Sequence, residues 1–402
     1  MVGAGPAGGE LARRLAQHEM AVVLVDRLPD LRHSAFSSAA VPLDTVLRFA
    51  LPAAVVASRW RGWRLIGPGE RSRDWQASRP LGAVLDFGAL RHWLAEECRE
   101  WGGRVCLGRT ALDCRPLGDR MITRLRGVGG AEEVVVSDWV IDATGERRGL
   151  LGAGEGSGND EDRDPLLTGL GVEWLLQVPE RTWQRWQDRL SFCLGSDWLP
   201  QGYGWVFPMQ PGVLKIGICR YRDPRHPQPP LSPLLERLLE RLLEPKELAQ
   251  LKVLDRHGGR VRSRIRRLEP HRRGRLVGLG DVVSTANLLG GEGIRHALTS
   301  SAVLAPLLLE SLRASPRGRT GADPVRHYPE RLRRSLGWRW TLSGRVARRT
   351  WLGLRDAAGD RRLLRILESL ESCRAEDLSA LLFDYRFERY GLRVLPYLLG
   401  LR

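Results

Sequence analysis

The sequence predicts an α/β chain in which a nucleotide-binding unit is interrupted by a β-rich middle and followed by a helical C-terminal region. Three observations carry this. A glycine-rich turn, "GAGPAGG", opens the chain. Residues 161–225 hold apolar segments that alternate like antiparallel strands, and Arg- and Leu-rich amphipathic segments follow Pro324. A βα pattern on both sides of a β-rich centre points to one domain inserted into another. The expected divisions are 1–150 and 265–320 for the two parts of the nucleotide-binding domain, 151–264 for the inserted domain and 321–402 for the helical region.

At the start, Gly3, Gly5 and Gly8 form G-x-G-x-x-G, with Pro6 and Ala7 between them. The first glycine allows a tight turn, the second lets a pyrophosphate approach the backbone, and the third packs helix against strand in a Rossmann-like unit. Residues 7–18 read as a helix with Leu11 and Leu15 on one face. Its N-terminal N–H groups would point at the phosphates. "AVVLVD" reads as a buried strand ending in Asp26, eighteen residues after Gly8, where a carboxylate can accept from a ribose 2′-OH. Only Met1 and Val2 precede Gly3. The first strand is therefore expected to be truncated, or the true start to lie a few codons upstream. A truncated strand would weaken the sheet at its centre.

Further along, "LDFGALRHWLAEECREWGGRVCLG" reads as a helix, a turn and a short strand. "RGVGGAEE" reads as a hairpin turn, and "EVVVSDWVIDATG" as two extended segments ending in a glycine turn. Residues 232–254 read as charged helix, "GRLVGLGD" as a buried strand, and a long helix is expected from about Gly293. No second G-x-G-x-x-G stands between a strand and a helix.

The 402 residues carry a net charge of +16, and only Lys215, Lys246 and Lys252 are lysines, so the charge is almost all arginine spread along the chain. No zinc-finger spacing, RNA-recognition signature or dense basic tail accompanies it, which argues against nucleic acid and for an anionic lipid surface or a phosphorylated substrate. The six cysteines include no C-x-x-C pair and fit reduced thiols in a cytoplasmic protein. No apolar run approaches the ~20 residues that span a bilayer, so the expectation is a soluble protein, at most peripheral to a membrane.

Three separated blocks resemble the flavoprotein group that includes p-hydroxybenzoate hydroxylase. They are "GAGPAG", "VIDATG" from Val140 to Gly145 with Ala143 inside it, and "GLGDVVSTANLLGGEGIRHA" from Gly278 to Ala297. The third is similar to the group's G-D-A-A-G-x-x-x-P-x-x-G-E-G-I-x-x-A, through Gly280, Asp281, Ser284, Gly291, Glu292, Gly293, Ile294 and Ala297. The resemblance implies a Rossmann-like FAD-binding domain interrupted by a β-rich substrate domain, with FAD at Gly3–Gly8 and its ribityl chain on Asp281. The helix after Gly293 begins with bare backbone N–H groups carrying partial positive charge, suited to the negative charge of a reduced flavin.

Within this group, "PQGYGWVFPMQPGVLKIGIC" resembles the P-x-G-Y-x-W-x-F-P motif of geranylgeranyl reductases, which hydrogenate carbon–carbon double bonds of isoprenoid chains. Tyr203, Trp205 and Phe207 alternate and share one strand face, and the resemblance implies that they wall a pocket for a long apolar chain. Plain core is the alternative reading of the same three rings. The loop "RHSAFSSAAVPLD" lacks the Cys-Gly stretch usual in prenyl reductases, and Ser37 and Ser38 are weak proton donors. No catalytic acid is assigned. His296 reads as a satisfied helix residue before a functional one, and Glu292 as a possible helix cap. The expected function is reduction of a prenyl or other hydrophobic substrate, with NAD(P)H or a ferredoxin, an acidic protein drawn to the arginine-rich surface, as transient electron donor. An aromatic-ring monooxygenase, a flavin-dependent cyclase-like isomerase and a non-catalytic flavin-binding protein are the alternatives. The acidic cyclase stretch F-L-E-E-T is absent.

Overall fold

The computed structural model describes residues 1–33, 37–152, 164–313 and 323–388. The opening helix runs Pro6–Ala16, directly after Gly5, whose extended backbone (φ −75°, ψ −177°) ends the turn. Proline suits this first position because its missing N–H has no intrahelical partner there. Leu11 and Leu15 face inward as expected. The acidic strand is Val23–Val25, parallel to Arg104–Cys106.

The strand before Gly3 is reduced to a single bridging residue. Val2 pairs with Val25 on one side and Asp142 on the other. The Val2 N–H donates to the Ile141 carbonyl at 2.9 Å, and the Val2 carbonyl accepts the Ala143 N–H at 2.8 Å. Met1–Gly3 thus joins Val23–Val25 to the parallel strands Val140–Asp142 and Leu276–Gly278. The centre of the sheet is therefore hydrogen-bonded on both sides of Val2.

The β-rich part is a seven-stranded sheet in the spatial order Lys252–Ser263, Leu167–Gln177, Val213–Tyr221, Gly202–Pro208, Arg189–Leu194, Gly62–Ile66 and Ser72–Gln76. The last two come from the stretch expected to belong wholly to the nucleotide-binding unit. They join here because Gly62–Ile66 pairs in parallel with Arg189–Leu194 and its Trp63 and Leu65 continue the apolar face of the sheet. The charged stretch expected to be helical as far as residue 254 forms helices Ser232–Leu242 and Pro245–Ala249 and then turns into strand at Lys252. Pairing along Leu167–Gln177 overrides local preference there. "RGVGGAEE" is the expected hairpin, joining Arg120–Gly127 to Glu132–Ser137. Residues 161–163 and 389–402, expected as strand and helix, lie outside the described residues.

Helix Ser232–Leu242 covers one face of the seven-stranded sheet through Leu235 and Leu238. Helices Tyr328–Gly353, Ala357–Ser369 and Ala375–Leu382 cover the other, where Trp351, Leu363 and Leu378 share a cluster with Tyr203 and Phe207. A separate core forms around the opening helix, with Leu24, Ile141, Val277 and Leu304.

Candidate functional site

The three glycine blocks, far apart in sequence, meet at one place. A methyl on Gly8 would overlap the Gly3 carbonyl and reach 3.0 Å from the Ala143 side chain. Gly280 is packed so that its Cβ would stand 2.8 Å from that of Ala7, and the Ser301 hydroxyl donates to the Ala7 carbonyl at 2.7 Å. The Leu279 N–H donates to the Asp142 carbonyl at 2.9 Å. These glycines are therefore packing requirements. Gly5 differs, because nothing lies within 4 Å of a Cβ built on it. The same holds for Gly145 and Gly290.

Two aspartates organise the turns. The Asp142 carboxylate accepts from the Thr144 N–H at 3.0 Å, the Thr144 hydroxyl at 2.6 Å, and the Leu150 and Leu151 N–H groups at 2.9 and 2.7 Å. That explains the acid of "VIDATG" as a turn organiser. Asp26 accepts from the Ala4 N–H at 2.7 Å and the Leu28 N–H at 2.9 Å. It therefore braces the glycine turn, while the second lone pair on each oxygen stays open to a hydroxyl donor. Asp281 is half-buried. Burial raises its pKa against hydrogen bonds from Thr285 and the Ala286 backbone. Its carboxyl faces Gly293, where a Cβ would stand 3.8 Å away.

Beyond Asp281 lies a cavity of about 1100 Å³. Its floor is the seven-stranded sheet, through Phe192, Tyr203 and Phe207, and its edge is the glycine run 290–293 with Ile294. Its roof is the C-terminal helices, through Trp351, Leu363 and Phe383. Phe192 and Phe207 meet edge-on at 5.3 Å, and Tyr203 and Trp351 lie 4.8 Å apart. The Trp351 indole donates to the Leu289 carbonyl at 3.1 Å, and the Tyr221 hydroxyl donates to the Leu288 carbonyl, so roof and floor both hold the glycine run. The Tyr203 hydroxyl would be 2.9 Å from a Cβ on Gly291, which also has φ +66°. Glycine is required there twice over.

Trp205 departs from the expectation. Tyr203 and Phe207 line the cavity, but Trp205 does not. Its ring lies over Gly217, where a Cβ would clash with it, and its indole N–H donates to the buried Glu173 carboxylate at 2.9 Å. The missing side chain at Gly217 makes room for the ring to turn across the sheet, away from the cavity. The other Glu173 oxygen has no partner among the described residues. Burial pushes the Glu173 carboxyl up and the neighbouring Lys215 amine down. The Lys215 ammonium donates to the Ser37 carbonyl at 2.8 Å, and Ser37 and Ser38 stand on the cavity wall. The sequence signal for this pair was faint: one of only three lysines sits inside an apolar strand.

The sequence reading named Glu292 and His296 singly, but not the roof or the partners Tyr385 and Arg295 that tie it down. Glu292, on the cavity wall, pairs with Arg295 at 2.6 Å and accepts from the Tyr385 hydroxyl at 2.9 Å. The His296 ring nitrogen lies 2.8 Å from that hydroxyl. Burial alone would raise the Glu292 carboxyl, but Arg295 and His296 hold it at about 2. His296 is a satisfied helix residue, and burial lowers its pKa against the pull of Glu292. Because its pKa is lowered in the folded chain, the ring binds more protons in the unfolded chain than in the folded one as the pH falls below the ordinary value of about 6.5. Its contribution to stability is thus complete above that pH and is lost as the pH falls below it. Melting temperatures measured from pH 7.5 to 5 should fall more steeply for the parent than for His296→Gln. Arg267, Arg295, Tyr385 and Glu292 surround the ring in both proteins. Parallel slopes would show that this histidine does not titrate as described.

The comparisons with known proteins bear on the same features. No family model matches the chain. The digeranylgeranylglycerophospholipid reductase of Haloferax volcanii is 26% identical over 390 residues, covering 94% of this chain and 90% of that protein. The geranylgeranyl diphosphate reductase of a Synechocystis strain is 24% identical over 345 residues, covering 80% and 78%. Along most of its length the chain is thus similar to geranylgeranyl reductases, as the sequence resemblance implied. Among solved structures, a geranylgeranyl bacteriochlorophyll reductase-like protein from Thermoplasma acidophilum superposes with a TM-score of 0.80 at 20% identity, covering 100% of this chain and 98% of that one. The p-nitrophenol 4-monooxygenase of Pseudomonas putida follows the same fold, with a TM-score of 0.70 at 16% identity over 96% of both chains. Ser37 and Ser38 lie in the loop where the resemblance implied a Cys-Gly stretch. Among the described residues there is no cluster of His, Cys, Asp and Glu that could hold a metal ion.

Proposed function

We propose that the protein adds two hydrogens across carbon–carbon double bonds of a prenyl chain lying in the cavity between the sheet and the C-terminal helices. One observation carries this reading. The cavity is large, roofed and mostly apolar, and it ends against the glycine run that follows Asp281. Small-molecule sites usually measure about 300–1,000 Å³, so this one suits a long flexible chain better than a single ring.

The residues fit FAD. Gly3, Gly5, Pro6, Ala7 and Gly8 offer the pyrophosphate a bare helix N-terminus, with open space over Gly5. Asp26 would take the adenosine ribose, Ala143 and Gly145 would line the nucleotide, and Gly280 and Asp281 would hold the ribityl chain. Gly291, Gly293 and Ile294 would face the ring. Bound FAD, once reduced, supplies hydride to the double bond. Tyr203 and Phe207 position the chain, and the roof excludes water. In this reading residues 1–150 and 265–320 hold the flavin, except that Gly62–Ile66 and Ser72–Gln76 extend the substrate sheet. NAD(P)H or an acidic ferredoxin would reduce the flavin in passing.

Purified protein should be yellow and release FAD on heating. Incubated anaerobically with a reductant and geranylgeranyl diphosphate or a geranylgeranylated lipid, it should yield products heavier by two hydrogens per double bond in mass spectrometry. Gain of one oxygen under air would indicate a monooxygenase, and rearrangement without a mass change would indicate an isomerase.

A further inference from the structure

A row of titratable side chains crosses the seven-stranded sheet. His257, Glu173, Gly217 and Trp205 stand in register on four neighbouring strands. Directly paired residues share a face, and this is the face from which Tyr203 and Phe207 reach the cavity. Lys215 lies on it too, two residues before Gly217 on the same strand. His257 is on the edge strand, half-buried, with a ring nitrogen 3.2 Å from the exposed Asp255 carboxylate. Glu173 and Lys215 are buried. The row therefore runs from solvent at the edge of the sheet into the interior. It ends where Lys215 donates to the Ser37 carbonyl at 2.8 Å, behind the cavity wall formed by Ser37 and Ser38.

Glu173 and Lys215 do not close on each other. One Glu173 oxygen accepts from the Trp205 indole, and the other is buried without a partner among the described residues. Lys215 uses one of its three N–H groups on the Ser37 carbonyl. Glu173 lies in the field of both Lys215 and His257, and Lys215 in the field of Glu173 and of Asp86, the N-cap of helix Phe87–Glu100. A buried charged pair serves stability no better than apolar side chains of similar volume. Two coupled groups whose charged forms are both opposed by burial are suited instead to holding a proton between them.

Resting on the reduction proposed above, we infer that this row is the proton path of the reaction: Glu173 and Lys215 hold one proton behind the Ser37–Ser38 wall, release it to the cavity, and recover it from solvent through His257. Each double bond gains a hydride at one carbon, from the reduced cofactor, and a proton at the other. The proton leaves a serine hydroxyl of the wall, which takes another from the Lys215 side as it gives its own. A serine is a weak acid alone, but one that gains a proton as it loses one carries no charge. The serine ends unchanged, and one proton from water is consumed per bond reduced.

Lys215 is one of three lysines, so labelling lysine with 15N at Nζ gives three signals, and Lys215→Met identifies the one that matters. In the purified protein that signal should titrate below the ordinary lysine value of about 10.4. Glu173→Gln should lower it further, because the negative neighbour that favours the ammonium is gone. Titration at the ordinary value, or no response to Glu173→Gln, would overturn the shared proton. Glu173→Gln/Lys215→Met removes both titrating groups and leaves the Trp205 indole an acceptor. It should melt near the parent and keep its flavin, yet reduce a geranylgeranyl chain roughly a hundredfold more slowly in single turnover, the usual scale of acid catalysis. The parent's rate should fall as pH rises through the Lys215 titration, since the proton is lost there, and the double variant should lack that fall. His257→Ala should turn over more slowly and regain rate with imidazole in the medium; parent-like turnover would overturn the entry through His257. A double variant that sheds flavin or melts well below the parent would assign the pair to the fold instead. If the parent reduces no prenyl chain, the proposed function falls and the path with it. If the parent reduces and the double variant matches it in rate and pH profile, the path alone falls.

Discussion

Gly5→Ala should come off the column nearly colourless yet melt like the parent stripped of its flavin. The site separates two roles that glycines play in the same turn. At Gly5 a methyl group meets nothing within 4 Å, and the backbone there is extended at φ −75°, so alanine costs the fold almost nothing. The methyl would instead project into the space above the N-terminus of helix Pro6–Ala16, where a pyrophosphate must come against the backbone. Losing even one weak contact to that group, worth about 1.4 kcal/mol, loosens it about tenfold. Gly8→Ala is the counterpart. Its methyl would overlap the Gly3 carbonyl, and such overpacking typically costs about 1–3 kcal/mol. It should lose flavin and stability together. Differential scanning fluorimetry with a flavin absorbance ratio reads both. Full flavin occupancy in Gly5→Ala would mean that the pyrophosphate does not lie on this turn.

Trp205→Ala should unfold the sheet before it reveals anything about substrate. Removing a buried tryptophan costs about 3–5 kcal/mol through the cavity it leaves. Here it also strips the only hydrogen bond shown for the Glu173 carboxylate, which is buried beneath the ring and adds about 1–3 kcal/mol. At roughly 2 °C per kcal/mol for a chain of this size, the melting temperature should drop by about 8–16 °C. Trp205→Phe, which keeps most of the ring but not the N–H, should fall between. Tyr203→Phe keeps the ring packing and changes only the hydroxyl that faces Gly291 and the cavity, so its effect should appear in turnover and hardly in the melt. An unchanged melt with lost turnover in Trp205→Ala would return that ring to the substrate wall.

The three aromatic residues show where reading the chain stopped. Their alternation placed them on one strand face, and the structure does put them there, with all of Gly202–Pro208 buried. Alternation carries no information about how a large ring tilts once it leaves the strand. That was decided by Gly217 on the neighbouring strand, in register with Trp205, and by Glu173 one strand further on. The roof was out of reach for the same reason. Trp351, Leu363 and Phe383 look like any amphipathic helix face until the helices fold back over the sheet.

What the sequence determined alone is the set of turns and their order: a G-x-G-x-x-G turn running into a helix, an acid at the end of the next strand, an aspartate closing "VIDATG", and the Gly280–Ile294 block. These depend largely on local chemistry, on backbone left bare or on a carboxylate that binds an N–H two residues on, as Asp26 binds Leu28 and Asp142 binds Thr144, and residue type at fixed spacing states that directly. The tertiary structure alone decided the completion of the central sheet through Val2, the recruitment of Gly62–Ile66 and Ser72–Gln76 into the other sheet, the pairing of Glu292 with Tyr385, and which aromatic rings face the cavity. Each of these depends on contacts between segments tens to hundreds of residues apart, where packing selects among faces and partners that are locally equivalent.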